Sequence, residues 1–213
     1  MKRVFSVFVI SALVCSLFAG CGSRQNTTTN PSQSQTGTTN PGQTTQPTTP
    51  TTTAPDASNA PASALQALES VWDLFAEEEQ FWVVGGGYNN PVDNAPGAVE
   101  LTDVDYMTFS LLIPDAEQDK ITEAASMMHA MNGNNFTCGV YKVADVTAFA
   151  NAMQAALEDH QWVCGMPEQL KIVDLGGGYV LVAFGIGDAM NPFFGHLVTA
   201  YPQAHTLVDV PVV

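Results

Sequence analysis

The chain has 213 residues, with 21 Asp and Glu against six Lys and Arg, and a formal net charge of −15 at pH 7. A field of that sign repels nucleic acid and anionic lipid head groups and favours cationic partners, so a nucleic-acid-binding function is excluded. Four cysteines occur without any Cys-x-x-Cys pair, which excludes a thioredoxin-type redox motif.

The chain opens on Lys2 and Arg3, followed by an uncharged apolar run from Val4 to Ala19. This is the form of a secretory signal, and the run is shorter than the roughly 20 residues a membrane span needs. The sequence Phe18-Ala19-Gly20-Cys21 resembles the lipobox of bacterial lipoproteins, with Phe18 where leucine is commoner. The resemblance implies that residues 1–20 are a signal peptide and that Cys21 becomes the lipidated N-terminus. It also implies that the mature protein is anchored on the extracytoplasmic face of the cell membrane.

Residues 21–60 read as a disordered linker rich in Thr, Pro and Gln. From Gly22 onward they hold almost no charge and no large aliphatic or aromatic side chain, so nothing there offsets the entropy of ordering. As a coil such a stalk averages roughly 35 Å, and fully stretched about 130 Å.

Residues 61–213 then form a single globular domain, long enough to bury roughly 68–70% of its unfolded surface without staples. After cleavage the basic residues are Arg24, Lys120, Lys142 and Lys171, four against 21 acids, for a net charge of −17. Ser63 and Gln66 fit a capping box. Leu65, Leu68, Val71, Trp72 and Phe75 follow at helical spacing, so a first helix is expected over 63–79, frayed by Glu77–Glu79 at its end.

Phe81–Val84 is a short apolar run. Residues 85–105, rich in Gly, Asn, Pro and Asp, read as a long loop. Tyr106–Ile113 fits a short helix or a strand equally. Ala116–Met131 reads as a helix, with Ile121, Ala124, Ala125, Met128 and Met131 on one face and Asn132-Gly133-Asn134 as its stop. Phe136–Val143 reads as a strand. Asp145 caps a helix carrying Val146, Phe149, Met153, Ala156 and Leu157 inward. Trp162–Pro167 is a loop. Leu170–Leu175 and Tyr179–Phe184 are strands of a hairpin around Gly176-Gly177-Gly178, and Pro192–Ala200 reads as a last helix. The fold class that follows is α+β, a small antiparallel sheet with helices packed on one face.

Three segments are distinctive: Ala125–Thr137 (ASMMHAMNGNNFT), Gln161–Pro167 (QWVCGMP) and Tyr179–Gly185 (YVLVAFG). Together they resemble an uncharacterised lipoprotein family of Gram-positive anaerobes, a domain of unknown function sometimes labelled a bacteriocin transport accessory protein. The resemblance covers roughly residues 63–195 and implies a surface lipoprotein with a small α+β domain. It brings no catalytic residues.

Few constellations carry chemistry. Met127, His129 and Met131 are soft-metal ligands, and on a helix Met127 and Met131, at i and i+4, would share a face while His129 would not. Met127, Met131, His129 and Trp162 are the candidate ligand-binding residues, with core packing as the competing reading of the methionines. Trp162 would line a groove with Tyr179 and Phe193 or sit half-buried in the core. Cys138 and Cys164 form a disulfide or stay as free thiols. A thiol nucleophile with His129 or His160 as base is opposed by the acidic surroundings.

No catalytic residue, cofactor or resident metal is expected. The expected function is that of a lipid-anchored binding or accessory protein of the cell envelope, partnered by the membrane through its lipid and by an envelope protein. The alternative is a small-ligand or soft-metal carrier using the Met127–Met131 helix.

Overall fold

The computed structural model describes residues 59–212. The signal segment, Cys21 and all of the linker before Asn59 lie outside the described residues. Helix α1 spans Ala64–Trp72. The Ser63 hydroxyl accepts the Gln66 N–H at 3.0 Å, the serine half of the expected capping box, while Gln66 Oε1 accepts the N–H of Ala62, one residue before the cap, at 3.1 Å. The helix stops before Glu77–Glu79, which lie outside it.

Short strands β1 (Val83–Gly85), β2 (Val92–Asp93) and β3 (Gly97–Ala98) follow. The segment expected to be a loop is thus seated on the sheet by two-residue strands. Helix α2 (Val104–Phe109) resolves the Tyr106–Ile113 ambiguity in favour of helix at its start, with Asp103 accepting the Tyr106 N–H. A single turn, α3 (Asp115–Gln118), precedes strand β4 (Ile121–His129).

β4 overturns the helix expected over 116–131. Its residues alternate between two buried faces: Ala124 packs into one apolar cluster, while Ala125 and Met127 pack into another. A strand buried on both sides loses the polar half of its period-two pattern. What remained was a run of Ala and Met, good helix formers, whose three- and four-residue spacings have no structural meaning here.

A 3₁₀ turn, Gly133–Asn135, leads into β5 (Phe136–Val143). Helix α4 (Val146–Glu158) begins at Asp145, which accepts the Ala148 N–H at 2.9 Å. Strands β6 (Gln169–Gly176) and β7 (Tyr179–Gly185) form the expected hairpin. All three turn glycines, Gly176, Gly177 and Gly178, have positive φ, a region that costs other residues but not glycine. Helix α5 (Gly187–Ala200) starts before Pro192, and the tail forms β8 (His205–Pro211).

The strands make one antiparallel sheet in the order β2-β1-β4-β5-β7-β6-β8, with β3 also on β4. The α+β class and the antiparallel sheet agree with the sequence reading. The helices, however, cover both faces. Helices α1 and α5 pack on Phe136, Cys138, Val140, Leu181 and Ala183. Helices α2 and α4 pack on Tyr141, Val143, Val180, Val182 and Phe184. The cause lies in the central strands, since every residue of β7 is buried and a two-sided apolar strand needs two covers. Among the described residues no helix is long and apolar enough to cross a membrane.

Candidate functional site

The register of the sheet lays Met128, Thr137, Phe184, Leu170 and Val210 side by side across β4, β5, β7, β6 and β8. This row lies on the α4 face, at the end of the sheet where β4 hands over to β5. The segment between α4 and β6 crosses above it. Trp162 from that segment stands on Phe184, with ring centroids 5.1 Å apart, and His160 meets Trp162 edge-on at 4.6 Å.

A hollow lies on either side of this aromatic peg. One, of about 240 Å³, has Met128, Thr137 and Phe184 as its floor, with Phe109, Ser110, Leu112, Asn134 and His160 among its walls. The other, of about 320 Å³, is lined by Leu157, Glu158, Leu170, Val210, Pro211 and Val212. The first is a cleft between the end of α2 and the 160–166 loop.

Leu112, in the cleft wall, has backbone in the left-handed region at φ 56°, and so does Cys164 in the 160–166 loop, at φ 64°. Such a conformation costs a side-chain-bearing residue about 1–3 kcal/mol and persists only where the surroundings hold it. For Cys164 the holding groups are two amides of the 3₁₀ turn. Asn132 Nδ2 donates to Cys164 O at 2.9 Å, and Asn134 Nδ2 donates to Val163 O at 2.7 Å and to Gly165 O at 2.8 Å. The turn itself is braced by Thr137 Oγ1, which donates to Gly133 O at 2.9 Å.

Phe109, in the cleft wall, is 69% exposed, and Met131 (72%), Val163 (75%) and Met166 (48%) are exposed on the segments that precede the 3₁₀ turn and follow α4.

The structure disperses the residues singled out from the sequence. Met127 is fully buried on the α1/α5 face. His129 stacks on Phe81 with ring centroids 6.0 Å apart, and its Nδ1 accepts the Met131 N–H at 3.2 Å. Met131 lies beyond the strand end in solvent, and Trp162 is on the opposite sheet face. Because 127–129 is strand and the chain bends at Ala130 and Met131, Met127 and Met131 do not stand one helical turn apart on a common face. The helix on which the soft-metal reading depended does not exist. Among the described residues no three His, Cys, Asp or Glu side chains converge on a metal position.

Tyr179 and Phe193, expected beside Trp162, pack on the α1/α5 face instead. Tyr179 gives its hydroxyl to Glu123 Oε2 at 3.1 Å and contacts the Lys142 ammonium at 3.2 Å. The true neighbour of Trp162 is Phe184, whose position on the even-numbered face of β7 the sequence contains once the strand is phased.

Cys138 and Cys164 are both free thiols. Cys138 is wholly buried under α1 and α5, where loss of hydration pushes its thiol well above the usual range. Cys164 is exposed in the 160–166 loop, so one thiol is sealed in the core and the other is open to solvent. Cys21 lies outside the described residues.

On the second buried site of note, Tyr106 and Ser126 join the 85–105 segment to β4. Burial pushes the Tyr106 phenol up to about 12, with the Ser126 hydrogen bond opposing and the charges of Tyr88 and Asp103 assisting. This pair was missed in the sequence because Tyr106 opens a run that fits a helix or a strand equally and Ser126 lies in a segment read as a helix. Comparison of the chain with models of protein families, with curated proteins and with solved structures gives no match.

Proposed function

We propose that the protein is a lipid-anchored binding domain of the cell envelope that presents the cleft between α2 and the 160–166 loop to an envelope protein. The observation that carries this reading is the hollow floored by Met128, Thr137 and Phe184, with the exposed ring of Phe109 in its wall. The left-handed backbone of Leu112, in the same wall, supports it, since strain of this kind collects at ligand clamps. The segment Phe18-Ala19-Gly20-Cys21 supports the anchor. The acidic domain supports a location away from anionic head groups and a cationic partner.

The test is site-specific photocrosslinking on producing cells, with a benzophenone amino acid at position 109 or 163. A discrete adduct is expected from both positions and not from Val198, which is equally exposed on α5. The same adduct pattern from Val198 would sink the cleft as the binding surface. In parallel, Cys21→Ser should move the protein from the membrane fraction to the medium, and retention would refute the anchor.

A further inference from the structure

The sheet ends differently on its two sides. One edge is the two-residue β2, too short to pair with another chain. The other is the seven-residue β8, whose outer side is unpaired among the described residues and which carries no Lys or Arg. Val212 donates its N–H to Glu168 O at 3.1 Å, and Val210 and Val208 pair with Leu170 and Ile172 in register. In an antiparallel ladder these alternate residues turn their backbone groups toward β6. The N–H and C=O of Asp209 and the C=O of Pro211 therefore face outward. A register shift between Ile172 and Val173 ends the regular stretch at Leu207.

Beside this open stretch lies the 320 Å³ hollow walled by Leu157, Leu170, Val210 and Val212. Its surroundings are acidic. Glu158 borders the hollow, Glu168 lies at the end of β8 with its carboxylate accepting the Gly187 N–H, and the Asp209 carboxylate, half in solvent, stands on the other face of the strand from Val208 and Val210. The domain has little to balance them: Lys171 is spent on Asp209, Lys120 on Glu117, and Lys142 on the Tyr179 ring.

We propose that β8 is a docking edge for an extended basic segment of a partner protein, alternating Lys or Arg with aliphatic residues. The segment adds to the sheet as a further strand. Its backbone pairs with Asp209 and Pro211, its aliphatic side chains take the hollow's face with one of them in the hollow, and its cations fall on the opposite face, beside the Asp209 carboxylate. Backbone pairing supplies the affinity and the alternating pockets the selectivity. A second copy of this acidic chain would bring like charges to the same edge, which disfavours it.

The probe is a fluorescein-labelled heptapeptide alternating Lys and Val, titrated into the full chain in detergent micelles and followed by anisotropy. Saturable binding is expected that weakens with salt and is at least tenfold stronger than that of the Glu/Val counterpart. Asp209→Pro removes the outward N–H and leaves the backbone bonds to β6; it should weaken binding at least tenfold relative to Asp209→Ala, which equally gives up the carboxylate and its Lys171 pair but keeps the N–H. In the unaltered chain, saturation with the peptide should slow exchange of the Asp209 amide at least tenfold, a reading that does not depend on the variant folding. Equal binding of the acidic peptide, an unslowed Asp209 amide, or binding by a folded Asp209→Pro as tight as by Asp209→Ala would each overturn the proposal. So would a dimer of the unaltered chain that Asp209→Pro dissociates, since the edge would then be taken by a second copy.

Discussion

Replacing Ser126 by alanine tests how the 85–105 segment is held on the sheet. Ser126 is fully buried in β4; its hydroxyl donates to Gly86 O at 2.9 Å, and the Tyr106 phenol lies 2.8 Å from the same oxygen. A hydroxyl has one proton, already given to Gly86, so Tyr106 is the donor in the second bond. Ser126→Ala therefore strands a buried O–H and a buried C=O in one step. Each stranded group costs about 1–3 kcal/mol, and the near-equal volumes of serine and alanine add almost no cavity cost. The expected loss is about 3 kcal/mol, or roughly 6–12 °C in Tm for a domain of this size. Tyr106→Phe leaves the Ser126–Gly86 bond intact and should cost only about 1 kcal/mol. Adding Tyr106→Phe to Ser126→Ala removes the stranded phenol, so the double variant should be more stable than the sum of the singles by roughly 1–2 kcal/mol. Urea unfolding of the chain without its signal segment, followed by tryptophan fluorescence, reads all three. A Ser126→Ala loss under about 0.5 kcal/mol, or strict additivity, would refute the assigned donor directions.

Alkali should unfold the domain by a calculable route. The Tyr106 phenol is held up at about 12 in the folded state against 10.0 ordinarily, so its contribution is intact below pH 10 and lost as pH rises from 10 to 12. About 1 kcal/mol should be gone by pH 11, with Tyr141, pushed the same way by burial, adding to it; a urea midpoint that stays flat from pH 9 to 11 contradicts this. Iodoacetamide should label Cys164 in the native protein and spare Cys138 until denaturant is added, as mass spectrometry of the peptides would show. Gly178→Ala places a Cβ 2.8 Å from Val143 O at φ 83°, and calorimetry should record a loss of about 2 kcal/mol or more. Asp145→Ala removes the cap of α4 and should cost about 1 kcal/mol by the same measurement.

Local chemistry was legible wherever one residue decides. Ser63, Asp145 and the three hairpin glycines each act through their own backbone neighbours, and each does what its sequence context implies. What the chain hid was phase. Ala124, Ala125 and Met127 carry no polar partner to show which face each takes, so β4 passed for a helix and its two apolar faces for one. The error spread to the site. With Met127 and Met131 placed on a helix, a metal pair was drawn from residues that the strand sends to the core and to solvent. Trp162 was matched to Tyr179 and Phe193, which pack on the other face, one from β7 and one from α5, because pairing register and helix placement come from the whole sheet. The Leu112 and Cys164 conformations have no sequence signature at all.

The domain has two poles. Gln203 holds the carbonyl of Asn59 at 2.7 Å, next to the start of β8, and the Gly178 turn lies against Val143 at the far end of β5. The cleft lies at the other end of the same strand, beside Gly133 and Phe136, roughly 25 Å away. The described chain thus begins at one pole, with the cleft at the other. A load pulled through Asn59 falls on Gln203 and the head of α1, with the length of the sheet between it and the cleft.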